Sequence, residues 1–271
     1  MAAVNEDAKT IGESSLALED TGERMLPDST GRVVFWEHVH RYAFACRLVS
    51  GKRVLDIACG EGYGSAAIQR AGAAHVIGVD ISEAACAHAA DKYGIDARVG
   101  SAEQIPLPDS SVDVVVSFET IEHVPAPGRF LDECARVLAP VGRLIISTPN
   151  KDVYSAPGRP RNPFHCSEMT EHEFLSALRG RFLGIELYSQ HLIWAPLWSP
   201  RTLSADETPW DWIYPLKRLR RSARFRLSDP SPEERSTVVE QILNPGRTRF
   251  SALFPYALQP RRNGTGEQPL Y

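Results

Sequence analysis

Between about residues 52 and 148 the apolar positions fall into short continuous runs, separated by stretches in which they recur at helical spacing. Runs at 53–58 (RVLDIA), 75–80 (HVIGVD), 96–99, 112–118 (VDVVVSF) and 143–148 (RLIIST) predict five strands. The fourth is apolar almost throughout, as suits a strand covered on both faces. Helices are expected from about Ser65, over 83–92 and over 128–138. A further helix without a breaker precedes the first strand at 33–49, and Thr170 opens another with Glu173 placed for a capping box. Residues 182–188 offer more strand material. Strands that alternate with helices imply right-handed crossovers, hence an α/β fold with a doubly wound, mostly parallel sheet.

After about Ser199 that rhythm stops, which divides the chain into three: 1–50, a lead and cap helix; 51–198, the core; 199–271, an extension that could cap a substrate. The extension carries Lys217, Arg218, Arg220, Arg221, Arg224 and Arg226, either a solvated helix face or a patch for an anionic partner. The whole chain has 271 residues and a net charge of -4, which argues against affinity through phosphate neutralisation, so no DNA partner is expected. The first residues lack a basic-then-apolar leader. No apolar run approaches the roughly 18 residues that cross a bilayer, so no membrane partner is expected. Cys46, Cys59, Cys86, Cys134 and Cys166 are odd in number and form no C-x-x-C pair, which favours a reducing, cytoplasmic setting.

The chemistry begins where the first strand runs into Asp56, Gly60, Gly62 and Gly64. A glycine-rich strand-to-helix turn lets backbone amides approach a ligand. Asp80, at the end of the second strand, is placed to accept from ribose hydroxyls. Glycines and acid together imply a nucleoside ligand; the bland alternative makes Asp56 and Asp80 turn-capping acids. Ser65 stands where a dinucleotide site places its third glycine, and Asp56 suits a cationic amino group better than a pyrophosphate.

VLDIACGEGYG, GVDIS, SAEQIPLPDSSVDVVVSFETIEHV and ECARVLAPVGRLIISTPN together resemble class I S-adenosylmethionine-dependent methyltransferases over residues 53–150. The resemblance implies a Rossmann-like core and S-adenosyl-L-methionine as cofactor. It places Asp56, Gly60 and Gly62 beside the methionine part, Asp80 with Ile81 at the ribose, and Ala102 and Glu103 near the adenine.

Glu119, Glu122 and His123 follow the fourth strand, and a helical turn would bring all three to one face. His123 could serve as general base with Glu119 orienting it, or Glu119, Glu122 and His123 with His165 could hold a divalent cation, Mg2+ or Mn2+. The E-x-x-E-H segment with a later histidine resembles the metal site of small-RNA 2'-O-methyltransferases, and a similar segment occurs in ubiquinone-pathway O-methyltransferases. TGERMLPD (21–28) and NPFH (162–165) resemble actinobacterial O-methyltransferases of sugars and polymethylated polysaccharides. That resemblance implies an O-methyltransferase whose acceptor is a hydroxyl of a saccharide or glycosylated metabolite. Another small-molecule hydroxyl or amine, an RNA ribose, or binding without turnover remain alternatives, and a homodimer is left open. Arg24 could pair with the methionine carboxylate; Trp194, Trp198 and Tyr154 could stack on sugar rings, while Trp36 and Tyr42 lie in a helix pattern and suit the core better.

Overall fold

The computed structural model describes Met25, residues 32–158 and 160–192, and the backbone of 256–260. Expectations for Glu23, Arg24, Trp194, Trp198, the basic cluster and the Trp36 side chain lie outside the described residues.

Five strands, β1 (Arg53–Ile57), β2 (His75–Asp80), β3 (Asp96–Val99), β4 (Val112–Phe118) and β5 (Leu138–Ser147), form one sheet in the order β3-β2-β1-β4-β5. All its pairings are parallel. The helices are α1 (Arg32–Cys46), α2 (Tyr63–Arg70), α3 (Glu83–Tyr93), α4 (Pro127–Val137), α5 (Lys151–Tyr154) and α6 (Glu171–Arg179). Chain order reverses between β1 and β4, and in open α/β sheets the crevice at such a reversal, at the carboxyl ends of the strands, receives ligands.

Strand alternation divides the core between the two faces of the sheet. Val54, Val114 and Val116 pack with Phe35, Val39 and Tyr42 of α1 and Ile68 of α2. Leu55, Ile57 and Val115 pack with Phe130 and Leu131 of α4 and Phe174 and Leu178 of α6. Val112 joins this second face although its parity with Val114 would put it on the first; a register irregularity between Val112 and Val114 shifts it. Phe35 and Phe130 have no exposure at all, and each such burial contributes about 2–3 kcal/mol.

Two boundaries differ from the sequence pattern. β5 starts directly after α4, at Leu138, because Leu138 pairs with Val112 across the sheet. Residues 182–187 form no strand: Gly184 turns the chain with φ 65, and β6 (Tyr188–Leu192) begins after it. β6 pairs antiparallel with β7 (Tyr256–Pro260), so part of the expected extension closes onto the core's last strand. The Thr170–Glu173 capping box forms as expected. All five cysteines are free thiols. Among the described residues no helix is long and apolar enough to cross a membrane.

Candidate active site

Past Ile57 the chain bends sharply through Ala58 (φ 58), Gly60 (φ 54) and Gly62 (φ 95). A left-handed alanine is strained, and such strain gathers at functional turns. The bend points the Gly60 amide at the end of β2, where it donates to Asp80 Oδ2 at 2.9 Å; the Ser82 amide donates to Asp80 Oδ1, also at 2.9 Å. The glycine turn and the strand-end acid, twenty residues apart, therefore meet. Beside them Ile81 leaves an apolar side chain 79% exposed. The loop carrying Ala102 and Glu103 joins the same edge, since the Gly100 amide donates to the Asp80 carbonyl. Ala102 packs on the core below, and Glu103 Oε1 accepts from the Ala126 amide at 2.8 Å.

Two of the expected ligand residues make close contacts within the protein. Asp56, expected beside a cationic amino group, is wholly buried: Oδ2 accepts from Ser65 Oγ at 2.6 Å and Oδ1 from the Tyr42 hydroxyl at 3.1 Å. Burial pushes its carboxyl up to about 7, against the pull of those hydroxyls. Gly62, expected to border the methionine part, gives its missing side chain's space to α3, for a Cβ there would lie 2.5 Å from that of Ala89. Gly64 makes room in the same way for the ring of Tyr42, which a Cβ would approach to 2.1 Å. Glu61, between the glycines, anchors the turn by accepting from Lys92 Nζ and the Tyr93 hydroxyl, each at 2.7 Å.

After β4 the chain does not continue as an α-helix. Glu119 takes φ 52, and a single 3-10 turn covers Ile121–His123. The expected common face is thereby split. Glu119 turns to Ser147, whose hydroxyl donates to its Oε1 at 2.7 Å, and to Arg41 of α1, 3.5 Å from its Oε2. Burial would raise the Glu119 carboxyl, but Arg41, His38 and the Ser147 hydroxyl outweigh it and hold it below its ordinary value. Glu122 points inward, 1% exposed, and Oε2 accepts from the Thr148 hydroxyl at 2.9 Å. Its buried Oε1 has no hydrogen-bond partner among the described residues. Burial first, and the charge of Glu119 second, push Glu122 up to about 8.

Ligand atoms of Glu122, His123 and His165 lie within 4.8 Å of one another. Glu119, the fourth residue of the expected set, stands outside that trio. His123 Nδ1 lies 3.2 Å from the Phe164 carbonyl oxygen. A carbonyl only accepts, so Nδ1 carries the proton and the lone pair falls on Nε2, 4.0 Å from Glu122 Oε1. His165 Nδ1 lies 2.7 Å from Glu168 Oε1, which leaves its lone pair on Nε2 as well. Ser155 also donates to Glu168; the two hydrogen bonds hold Glu168 below its ordinary value against the upward push of burial. Sequence reasoning missed Glu168, Ser147, Thr148 and Arg41. Only Glu168 carried a signal, three residues beyond His165 within one short loop.

A reversed sheet order, a left-handed glycine turn and an acid hydrogen-bonded to it define the doubly wound class, whose crevice at the reversal receives nucleotides. Residues 55–146 match the family model of a methyltransferase domain. Over 175 residues, 63% of this chain, it is 42% identical to probable S-adenosylmethionine-dependent methyltransferases of Mycolicibacterium smegmatis and Mycobacterium tuberculosis. That stretch spans 67% of the first relative and 62% of the second. A ubiquinone biosynthesis O-methyltransferase of Maricaulis maris is 45% identical over 112 residues, 39% of this chain and 43% of that one. A Thermotoga maritima S-adenosylmethionine-dependent methyltransferase shares the fold, with a TM-score of 0.50 at 24% identity, over 59% of this chain and 78% of that one. The [4+2]-cyclase SpnF does so as well, with a TM-score of 0.50 at 24% identity, over 57% and 60%. The chain belongs to the S-adenosylmethionine-dependent methyltransferase family.

Proposed function

We propose that this chain transfers the methyl group of S-adenosylmethionine to a hydroxyl of a saccharide or glycosylated metabolite, aided by a divalent cation at Glu122, His123 and His165. The residues at the carboxyl edge fit the cofactor. A carboxylate offers about four lone-pair positions, so Asp80 can keep its two amides and still accept from ribose hydroxyls. Ile81 supplies an exposed apolar surface for a purine. Arg41 Nη1 and the Tyr63 hydroxyl are buried donors without a hydrogen-bond partner among the described residues, and the charge of Arg41 acts on Tyr63. A carboxylate, as at the amino-acid end of the cofactor, is the group that would satisfy them.

One observation carries the acceptor side: two imidazoles, each anchored through Nδ1, lie with the Glu122 carboxylate so that one ligand atom of each falls within 4.8 Å of the others. Histidines that bind metals are commonly held this way, by a carbonyl or carboxylate on the far nitrogen. A bound cation would lower the pKa of a sugar hydroxyl, which neutral histidine deprotonates poorly. The acceptor oxygen attacks the methyl carbon in line, the carbon–sulfur bond breaks, S-adenosylhomocysteine leaves and the hydroxyl proton passes to solvent; the protein's own task is alignment. The same Nδ1 anchor supports a second reading, in which His123 Nε2 takes the hydroxyl proton with no cation.

O-methylation draws support from the ubiquinone-pathway relatives. The saccharide rests on the likeness of TGERMLPD and NPFH to sugar methyltransferases. Chelation separates the readings. We expect exhaustive chelation to abolish release of S-adenosylhomocysteine from sugar acceptors, and Mn2+ or Mg2+ to restore it. Turnover that survives chelation, yet disappears in His123→Ala, would leave the histidine base standing and remove the cation.

A further inference from the structure

Both histidines of the acceptor site are attached to an aromatic residue of the same loop. The Tyr154 ring stacks on His165, with centroids 5.0 Å apart and planes at 30°. Phe164 supplies the carbonyl that anchors His123. The two imidazoles meet edge to face at 4.7 Å, so His123, His165 and Tyr154 form a continuous series of rings.

Tyr154 is 41% exposed and Phe164 is 54% exposed. Single exposed apolar residues are ordinary. Here the exposed large aromatics among the described residues are these two: Tyr154 stacks on His165, and Phe164 directly precedes His165 in the chain. A slack loop does not account for their exposure. Asn150 caps α5 by accepting from the Asp152 amide, and the Lys151 amide donates to the Met169 carbonyl at 3.0 Å. The Asn162 side chain accepts from the Phe164 amide at 3.0 Å. The Cys166 and Ser167 amides both donate to the Glu122 carbonyl, at 2.9 and 3.0 Å. The Ser167 hydroxyl lies 2.8 Å from the Ile121 carbonyl and 2.7 Å from that of Val124. The loop is tied to the 3-10 turn that carries Glu122 and His123, and its aromatics are held in place beside the site.

We infer that Tyr154 and Phe164 form a platform that selects the acceptor by the apolar face of a pyranose ring, setting one ring hydroxyl against the histidine pair. This rests on the methyltransferase reading above and narrows its acceptor to a cyclic polyol. A pyranose presents C–H groups on its face and hydroxyls around its rim. Aromatic rings match the face, while the partly exposed Glu119 carboxylate offers acceptors for further rim hydroxyls. An acyclic polyol has the same hydroxyls and no face to stack; a catechol has a face and only two hydroxyls.

The test uses the full chain with S-adenosylmethionine, each divalent ion in turn, and three sets of probes: methyl gluco-, galacto- and mannopyranoside, the acyclic alditol glucitol, and catechol. S-adenosylhomocysteine release gives kcat and KM, and calorimetry gives cofactor affinity. We expect at least one methyl pyranoside to exceed glucitol and catechol tenfold or more in kcat/KM. For that pyranoside, Tyr154→Ala and Phe164→Ala should each raise KM about tenfold, with kcat within threefold and cofactor Kd unchanged; Tyr154→Phe should restore KM. Equal or better turnover of glucitol or catechol, no turnover of any pyranoside, or alanine variants that lower kcat with KM unmoved would each overturn the platform. Loss of cofactor binding in the wild-type protein would instead overturn the methyltransferase reading beneath it.

Discussion

A carboxylate removed from water is harder to ionise than one in it, and Asp56 bears that cost beneath the glycine turn. Its carboxyl titrates at about 7 in the folded chain, chiefly through burial, against about 3.9 for an unperturbed aspartate. Between those two values the folded state binds more protons than the unfolded one. Asp56 therefore lowers stability as pH rises from about 4 through 7, and its contribution is flat outside that window. Urea titrations of the wild type and Asp56→Asn at pH 5 and pH 8 should show the wild type losing about 2 kcal/mol more than the variant. Parallel losses would mean that Asp56 is not the enclosed acid described. Only part of this was legible in the sequence. The pairing of Gly60 with Asp80 follows from a strand-turn-helix pattern whose spacing hardly varies. The enclosure of Asp56 depends on Tyr42, fourteen residues earlier, which reads simply as an apolar position of a helix. The separation of Glu119 from Glu122 and His123 depends on one left-handed φ at a residue type that carries no mark of it.

Elements meet at the glycine turn more closely than side chains would permit. α1 lays Tyr42 over the start of α2, and the absence of a Cβ at Gly64 is the condition for that contact. Tyr42 also stands edge to face with Tyr63 and Phe118, with centroids 5.3 and 5.0 Å away, so it has no alternative space nearby. Gly64→Ala should then cost about 2 kcal/mol or more, as overpacking of a close-packed core does. A reduced urea midpoint at unchanged slope would show it; an unchanged midpoint would mean that α1 does not pack here as described. The strands and helices of the core were readable because each buries a continuous or periodic apolar face. Their junctions were less so. β5 starts early through a pairing with Val112, and the expected strand at 182–188 is displaced by the turn at Gly184. Sheet pairing and backbone handedness decide such points, and hydrophobic periodicity reports neither.

For the whole molecule, the reversal of strand order between β1 and β4 brings two chemistries to one edge. Gly60, Asp80 and Ile81 gather on the β2 side, and Glu122, His123 and His165 on the β4 side. Arg41 reaches from α1 to Glu119 at the end of β4. In the proposed function a methyl donor held by the first group would face an acceptor held by the second. On that proposal Asp80, tied to the Gly60 amide, holds the nucleoside of the cofactor. Calorimetric titration of the full chain with S-adenosylhomocysteine, wild type against Asp80→Ala, tests it most directly. Loss of two hydrogen bonds to a charged group, each contributing about 1.5–3 kcal/mol, predicts binding weaker by about 100-fold or more, with circular dichroism unchanged. Equal affinity in the two proteins would contradict the account and move the cofactor elsewhere.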